Sequence, residues 1–382
     1  MSVLKPREFL MIPGPTPVPD AVLEAIARHP IGHRTPDFSK ALKSAVENLQ
    51  WLGQTKHDVF VLTASGTAAL ELAIFNTLSP GDNVLCVVNG VFGERWARMS
   101  EALGAKVERL SAPAGQAVPV KALEQKLEAD KEKKFKAVII THNETSTGVV
   151  HDIQPMLAAI SKHGALSIVD TVTSFGAVPF PIDEWQADIV ATGSQKALML
   201  PPGLSFVFFG PRAWEAHKLC KTPRFYLDAA KYKKSMSADT TPFTPNISLV
   251  MGLQVALQMM KEEGTESIFA RHKRLQKLTR EGLKALNLEL FVAEDCASST
   301  ITAVYPPANI GVDVIRKGLK EKFRILVADG QEELKGKIFR IGHMGYVFER
   351  DVLMTLAALE NVLIDNGHRC EKGAAVSAAL RA

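Results

Sequence analysis

Short hydrophobic runs recur along the first half of the chain at spacings typical of a sheet covered by helices. Between residues 58 and 210 we count seven apolar or β-branched runs, and segments with helical periodicity or turn residues separate most of them. The runs are DVFVLT, NVLCVV, KVERLS, KAVIIT, LSIVD, DIVAT and LSFVFF. Runs that are apolar at successive positions are buried on both faces, as in parallel strands between helices. The pattern predicts an α/β fold with a mostly parallel, seven-stranded sheet.

A second, smaller domain is predicted after this sheet. The segment 265–286 is charged but keeps the period of a helix, with Ile268, Leu275, Leu278 and Leu283 near one face. Three candidate strands follow it: STITAVY, RILVADG and KIFRIGH. We therefore predict an N-terminal segment at 1–20, a large domain at 21–264, a smaller α+β domain at 265–366 and a flexible tail at 367–382.

Composition and charge narrow the class of protein. Hydrophobic residues make up 46% and charged residues 23% of the 382 positions, which is typical of a globular chain, and a length of this size favours two domains. The net charge of +4 does not indicate a nucleic acid or membrane partner, and no apolar run reaches the length of about 18 residues that a membrane span needs. The four cysteines are too dispersed to indicate a metal site or a disulfide framework. These features predict a cytoplasmic protein.

Residues that carry chemistry gather where several predicted strands end. Ser65, Gly66 and Thr67 follow the first strand and open a helix, whose N-terminus can bind a phosphate. Asp170 ends the strand LSIVD, and Lys196 follows the next strand in TGSQK. In open α/β sheets, ligands bind at the carboxyl ends of the strands, so these groups are expected to meet.

A phosphate site, a carboxylate and a lysine on one sheet edge predict a site for pyridoxal 5′-phosphate. The helix end would hold the phosphate, Asp170 would face the pyridinium nitrogen, and Lys196 would form the Schiff base with the aldehyde. Substrate would then displace Lys196, and the freed amine would act as the base at the substrate Cα.

The motifs resemble those of the class V, fold-type-I aminotransferases, especially the alanine-glyoxylate or serine-pyruvate group. The resemblance runs from MIPGPTPVP to FRIGHMG, and the branch that the chain resembles most includes chains labelled as a small subunit of a soluble hydrogenase. It implies that Gln195 contacts the cofactor, Phe92 stacks on it, Thr145 meets it with a hydroxyl, and Arg340 binds the substrate α-carboxylate. It also implies a homodimer in which Thr244 reaches the phosphate of the neighbouring subunit.

The expected activity is ping-pong transamination between alanine or serine and glyoxylate or pyruvate. Two alternatives stay open: a non-catalytic or moonlighting subunit of a redox assembly such as a hydrogenase, and a cysteine desulfurase-type lyase, for which Cys296 is the only candidate nucleophile. The sequence leaves open which donor and acceptor are used, and the roles of His33, Arg34 and His343.

Overall fold

The computed structural model describes residues 6–382, which form two sets of packed elements. The strands of this part of the chain are β1 (Phe9–Leu10), β2 (Asp58–Leu62), β3 (Asn83–Val88), β4 (Lys106–Ser111), β5 (Phe135–Thr141), β6 (Asn143–Glu144), β7 (Val149–Val150), β8 (Leu166–Asp170), β9 (Ile189–Gly193), β10 (Ser205–Phe209), β11 (Ile301–Val304), β12 (Ile325–Leu326), β13 (Ala328–Asp329) and β14 (Phe339–Gly342). Its helices are α1 (Asp20–Ile26), α2 (Pro36–Gly53), α3 (Gly66–Phe75), α4 (Val91–Ala102), α5 (Val120–Ala129), α6 (Ile153–His163), α7 (Pro211–Leu219), α8 (Ala229–Met236), α9 (Ile247–Glu263), α10 (Thr265–Ala285), α11 (Val312–Phe323), α12 (Glu349–Asp365) and α13 (Ala374–Arg381).

The large sheet has seven strands in the order β2-β10-β9-β8-β5-β3-β4. Neighbouring strands from β9 to β4 are parallel, whereas β10 pairs antiparallel with both β2 and β9. Each of the seven hydrophobic runs supplies one strand, so the prediction of a mostly parallel, seven-stranded α/β sheet is confirmed. Because β10 reverses direction between them, β2 and β9 end at the same edge of the sheet.

Both faces of this sheet are buried, which explains the continuous apolar runs. On β2, Val59 and Val61 join a cluster on one face, while Phe60 and Leu62 join a cluster on the other, and all four are at most 3% exposed. The edge strand β4 is the exception, since most of its side chains are exposed or half-buried. A charged, exposed edge strand opposes unwanted pairing with other chains.

The C-terminal residues form a separate α+β layer with its own hydrophobic cluster. A three-stranded antiparallel sheet in the order β11-β14-β13 packs with α10, α11 and α12. The N-terminal segment belongs to the same cluster, because β1 pairs parallel with β12 and Met11 is fully buried there. This pairing brings the start of the chain beside residues more than 300 positions later.

Residues 374–381, within the segment 367–382 for which a flexible tail was expected, pack against the C-terminal cluster, and the flexibility of that segment stays a prediction. They form α13, in which Ala375 and Ala379 are fully buried against the C-terminal cluster. The carboxylate of Glu360 accepts hydrogen bonds from the backbone N–H groups of Gly373 (2.6 Å) and Ala375 (3.1 Å), which caps the helix. Two alanines four positions apart form the packed face of α13. Such small side chains give only a weak hydrophobic pattern in the sequence, so the pattern did not indicate this helix.

Among residues 6–382, no helix is both long enough and apolar enough to cross a membrane.

Candidate active site

Two adjoining cavities lie at the carboxyl edge of the large sheet. The inner cavity, of about 120 Å³, is lined by Ser65, Gly66, Thr67, Phe92, Thr145, Asp170, Gln195 and Lys196 among others. The outer cavity, of about 460 Å³, is lined by Phe92, Thr145, Lys196 and Arg340 together with residues from the N-terminal segment and the small domain. Nine of the ten residues predicted for the site therefore line one cavity or the other. These residues are far apart in sequence but close in space, because β2, β3, β5, β8 and β9 all end at this edge of the sheet.

The N-terminus of α3 provides an anion site. The helix begins at Gly66, and Ser65 precedes it with an extended backbone and a side chain that makes no capping hydrogen bond. The first backbone N–H groups of a helix lack partners within the helix and lie at the positive end of its dipole. The free Ser65 hydroxyl and these N–H groups could together hold a phosphate.

Asp170 is a buried carboxylate without a cationic partner in the described residues. It ends β8 and is 3% exposed, and its Oδ1 accepts one hydrogen bond from the N–H of Val172 at 2.8 Å. Burial raises the pKa of Asp170 to about 6, although the Val172 hydrogen bond opposes the increase. A buried carboxylate of this kind is stabilised by a donor that carries positive charge.

Lys196 lies between the two cavities. Its Nζ donates to the carbonyl oxygen of Pro13 at 2.6 Å, and Thr16 donates its hydroxyl to the Lys196 carbonyl at 2.9 Å. Burial, reinforced by the positive charge of Arg340, lowers the pKa of Lys196 to about 8. A lysine with a lowered pKa is a better nucleophile and base near neutral pH.

Gly14 allows the N-terminal segment to lie against this lysine. Its φ of +125° suits glycine, and a Cβ at this position would lie 2.6 Å from Lys196 Cδ and 2.8 Å from Cε. In the sequence, this segment is notable only through the family resemblance. Its contact with Lys196 depends on the β1–β12 pairing, which no local pattern predicts.

Arg340 is held in place by backbone carbonyl groups. Arg340 lies on β14 and is 5% exposed. Its Nε (2.9 Å) and one terminal nitrogen (2.6 Å) donate hydrogen bonds to the carbonyl of Asp329. Its other terminal nitrogen donates to the carbonyl of Thr145 at 2.9 Å. No carboxylate of residues 6–382 lies within the 4.0 Å of an ion pair with it. Burial lowers the pKa of Arg340 to about 10, so it stays charged at neutral pH. A rigid guanidinium that lines a cavity without a carboxylate partner can bind a substrate carboxylate.

One short loop connects the ring of Phe92 to Arg340. The carboxylate of Glu144 accepts hydrogen bonds from the N–H groups of Phe92 and Gly93, both at 3.0 Å, at the start of α4. The next residue, Thr145, accepts from Arg340 through its carbonyl and shares a hydrogen bond of 2.9 Å with the Thr173 hydroxyl. The loop therefore fixes the aromatic ring, a hydroxyl and the arginine relative to one another.

Sequence reasoning missed several polar residues of the inner cavity. Arg95, Asn143 and Thr173 line it, and Glu144 lies directly behind it. The Arg95 guanidinium lies 4.7 Å from the centroid of the Phe92 ring, a cation–π contact. A helical spacing of three residues from Phe92 is the signal that could have identified Arg95.

Four residues considered at the sequence level lie outside the two cavities. Thr244 is exposed on its loop and lines neither cavity of its own chain, so its role toward a neighbouring subunit stays a prediction. Arg34 donates to the Thr240 hydroxyl and to the Thr241 carbonyl (2.7 Å) on this loop, and His33 precedes it. His343 is fully buried and shares a hydrogen bond of 2.9 Å with Thr302.

Cys296 is poorly placed to act as a nucleophile. It packs beside the small cluster of Val149, Val292 and Ala297 and lines neither cavity. Burial raises the pKa of the Cys296 thiol, which is the opposite of what a reactive thiolate needs.

The residues of the inner cavity fit pyridoxal 5′-phosphate. The α3 terminus could hold the phosphate, and the buried Asp170 carboxylate could accept the proton of the ring nitrogen. The Gln195 Oε1 atom is buried without a hydrogen-bond partner in the described residues, so it too can accept from a bound group. Lys196 lines the same cavity, within reach of a bound aldehyde.

Comparisons with known proteins agree with this geometry. Residues 9–335 match the family model described as aminotransferase class-V. The chain is 52% identical to the soluble hydrogenase 42 kDa subunit of Anabaena cylindrica, over 98% of each chain, and 38% identical to serine-glyoxylate aminotransferase of Arabidopsis thaliana, over 98% of this chain and 94% of the relative. The crystal structure of ureidoglycine-glyoxylate aminotransferase from Bacillus subtilis superposes with a TM-score of 0.94 at 29% identity, over 100% of this chain and 99% of that one. This chain belongs to the class-V aminotransferase family and is a pyridoxal phosphate-dependent aminotransferase.

Proposed function

We propose that the protein transfers the amino group of alanine or serine to glyoxylate or pyruvate, in a ping-pong reaction. The observation that carries this proposal is that Lys196 and Arg340 line one cavity of about 460 Å³, beside the cavity that contains Asp170. The glyoxylate in the printed names of the Arabidopsis and Bacillus relatives supports the choice of acceptor.

Each residue has a defined task in this proposal. When bound, pyridoxal 5′-phosphate supplies the aldehyde that takes up the amino group and the ring that accepts electrons from the substrate Cα. Asp170 keeps the ring nitrogen protonated through its negative charge. Arg340 binds the substrate α-carboxylate and thereby orients the bonds of Cα. Lys196, whose Nζ is neutral above about pH 8, removes the proton from the substrate Cα.

The supporting residues hold these groups in position. The carbonyl groups of Asp329 and Thr145 keep the Arg340 guanidinium in one orientation, which limits the rotamer entropy lost on binding. The N-terminal segment covers Lys196 at Pro13 and Gly14 and excludes water from that side of the amine. Glu144 fixes the start of α4, and with it the backbone of Phe92.

A homodimer and a cytoplasmic location are parts of the same proposal. Thr244 is exposed on the loop that Arg34 holds, so it is available to a second subunit. All four cysteines are free, in agreement with a reducing compartment. The grouping of Asp170, Lys196 and Arg340 favours catalysis over a purely structural place in an assembly such as the one named for the Anabaena relative.

The test is a spectral titration of the purified protein. Alanine or serine should bleach the visible absorption band of the lysine-bound cofactor and produce the near-ultraviolet band of pyridoxamine phosphate, and glyoxylate or pyruvate should reverse the change. Lys196→Ala is the control and should lack the response. A protein that binds no cofactor after incubation with it would exclude the proposal and favour the assembly subunit. Intersecting rather than parallel lines in two-substrate initial rates would exclude the ping-pong scheme.

A further inference from the structure

The outer cavity carries more positive charge than a monocarboxylic substrate can neutralise. Its lining includes four cationic side chains, Lys196, Arg316, Lys320 and Arg340, and a single carboxylate, Asp329. The proposed reaction uses Lys196 and Arg340. Alanine or serine brings one carboxylate, for Arg340, and leaves Arg316 and Lys320 without a substrate group to contact.

We propose that the cavity accepts substrates with a second acidic group, and that Arg316 and Lys320 bind this group. The inference rests on the proposed function, because it uses the same site and reaction, and it extends the range of substrates from alanine and serine to the acidic amino acids and their keto acids. A carboxylate or a phosphate at the far end of the substrate has the chemistry that two neighbouring cations recognise.

Both cations belong to one face of α11. Positions 316 and 320 are four residues apart, so their side chains lie one above the other on the helix. The adjacent face is anchored in the core by Ile315 and Leu319, which are fully buried, so the helix is held firmly beside the cavity. The two charges are therefore part of a rigid wall.

The two residues are only weakly neutralised by their own chain. Lys320 is exposed and forms no ion pair with the described residues. Arg316 lies 3.1 Å from Asp313, whose side chain is 90% exposed, and 3.7 Å from Asp329. The exposed pair with Asp313 contributes little stability. Asp329 is more buried, with 19% of its side chain exposed, but at 3.7 Å it is too far from Arg316 for a hydrogen bond, so a substrate anion can compete for Arg316.

Both arginines contact the same short segment of the chain. Arg340 donates to the carbonyl of Asp329, and the Arg316 Nε donates to the carbonyl of Val327 at 3.4 Å. These carbonyl groups are two residues apart on the segment that contains β12 and β13, so both side chains reach the same part of the cavity wall. A substrate whose α-carboxylate binds Arg340 can thus direct a side-chain acid toward Arg316 and Lys320.

The size of the cavity agrees with such a substrate. At about 460 Å³ it lies within the range of about 300 to 1,000 Å³ found for ligand pockets. The side chain of alanine is a single methyl group and would leave much of this space to water.

The experiment compares acidic donors with their neutral isosteres on the holoenzyme. The kcat/KM of the half-reaction is measured by the loss of the visible band for aspartate against asparagine and glutamate against glutamine, with alanine and serine in parallel and phosphoserine as a separate arm. We expect each acid to exceed its amide by about tenfold or more, since charge-assisted hydrogen bonds to Arg316 and Lys320 form only with the acid. The aspartate and phosphoserine arms distinguish a carboxylate site from a phosphate site.

Variants then assign the preference to residues. Arg316→Gln with Lys320→Gln should bring the acid-to-amide ratio close to one. Lys317→Gln is the matched control, because Lys317 is an exposed lysine of α11 that does not line the cavity, and it should keep the ratio of the parent. Calorimetric titration with succinate and with propionate gives a readout independent of turnover: succinate should bind more tightly, and the double variant should lose that difference.

Three results separate the possible failures. If no amino acid converts the cofactor, the proposed function itself fails. If alanine or serine reacts but the acids do not exceed their amides, only the present inference is overturned. If the acid preference persists in the double variant, Arg316 and Lys320 are not its source, and the assignment to α11 is wrong.

Discussion

Replacing Asp170 with asparagine should make the apoprotein more stable as the pH rises, while it removes catalysis. The buried carboxylate has a pKa of about 6 in the folded chain, against 3.8 for an aspartate in water, mainly because burial penalises its charge. Each whole step in pKa corresponds to about 1.4 kcal/mol, so ionised Asp170 costs the folded apoprotein about 3 kcal/mol above pH 7. This is a large share of the 5 to 15 kcal/mol typical of protein stability.

The direction in which stability changes with pH follows from proton binding. Between pH 3.8 and about 6 the folded wild-type chain holds this proton more firmly than the unfolded chain, so its free energy of unfolding decreases as the pH rises. Asparagine does not titrate, and its Oδ1 can still accept from the Val172 N–H. The stability of Asp170→Asn relative to wild type should therefore increase by about 2 kcal/mol between pH 4.5 and pH 8.

The assay is thermal unfolding of both apoproteins at these two pH values. A change in stability caused by the amide group itself is the same at both pH values and cancels when they are compared. The remaining pH-dependent difference between variant and wild type should amount to a few degrees in the unfolding midpoint. Added cofactor should stabilise wild type, by about 2.7 kcal/mol at one hundred times its Kd, and should stabilise Asp170→Asn less at the same concentration.

A matched control lies at the opposite edge of the sheet. Asp188 is also buried, but it pairs with Arg212 at 3.1 Å and accepts from Ser167. Burial raises the pKa of Asp188 as well, so the stability of Asp188→Asn relative to wild type should also increase with pH. Because Asp188 lines neither cavity, this variant should keep the cofactor-dependent gain of wild type. A stability difference between Asp170→Asn and wild type that is the same at both pH values would refute the electrostatic reasoning.

Three further predictions concern the lysine, the glycine beside it and the arginine. Burial lowers the pKa of Lys196 to about 8. The rate at which the apoprotein forms the visible band with added cofactor should therefore reach half its maximum near pH 8. A rate that still increases steeply at pH 10 would contradict the lowered pKa. Gly14→Ala should reduce cofactor incorporation, since the new Cβ would collide with the Lys196 side chain. Gly164→Ala is the control: its φ is +95° and no atom lies within 4 Å of the new Cβ, so it should lower stability alone. Equal cofactor content in both variants would count against the contact between Gly14 and Lys196. Arg340→Lys should decrease kcat/KM by about tenfold to a hundredfold through loss of one charge-assisted hydrogen bond, and unchanged saturation by the amino acid would remove Arg340 from the substrate site.

The sequence by itself determined the elements and the chemistry at their ends. The five residues after Asn83 in NVLCVV are all apolar because both faces of β3 are buried. The helix predicted at 265–286 is α10, with Ile268, Leu275, Leu278 and Leu283 at most 1% exposed. These signals are local, since hydrophobic periodicity reflects only which side of an element is buried. The chemical groups could be placed for a related reason: parallel strands end at a common edge, so Asp170 and Lys196 meet once the strands are identified.

Only the tertiary structure decided how those groups behave. The contact of Pro13 and Gly14 with Lys196 joins positions more than 180 residues apart, through a two-residue strand pair too short to predict. The unusual pKa values of Asp170 and Lys196 arise from burial, and burial depends on what packs around a residue and not on its neighbours in sequence. For the same reason, the cations of α11 have the sequence pattern of an ordinary solvated surface, and only the fold places them on the wall of the outer cavity.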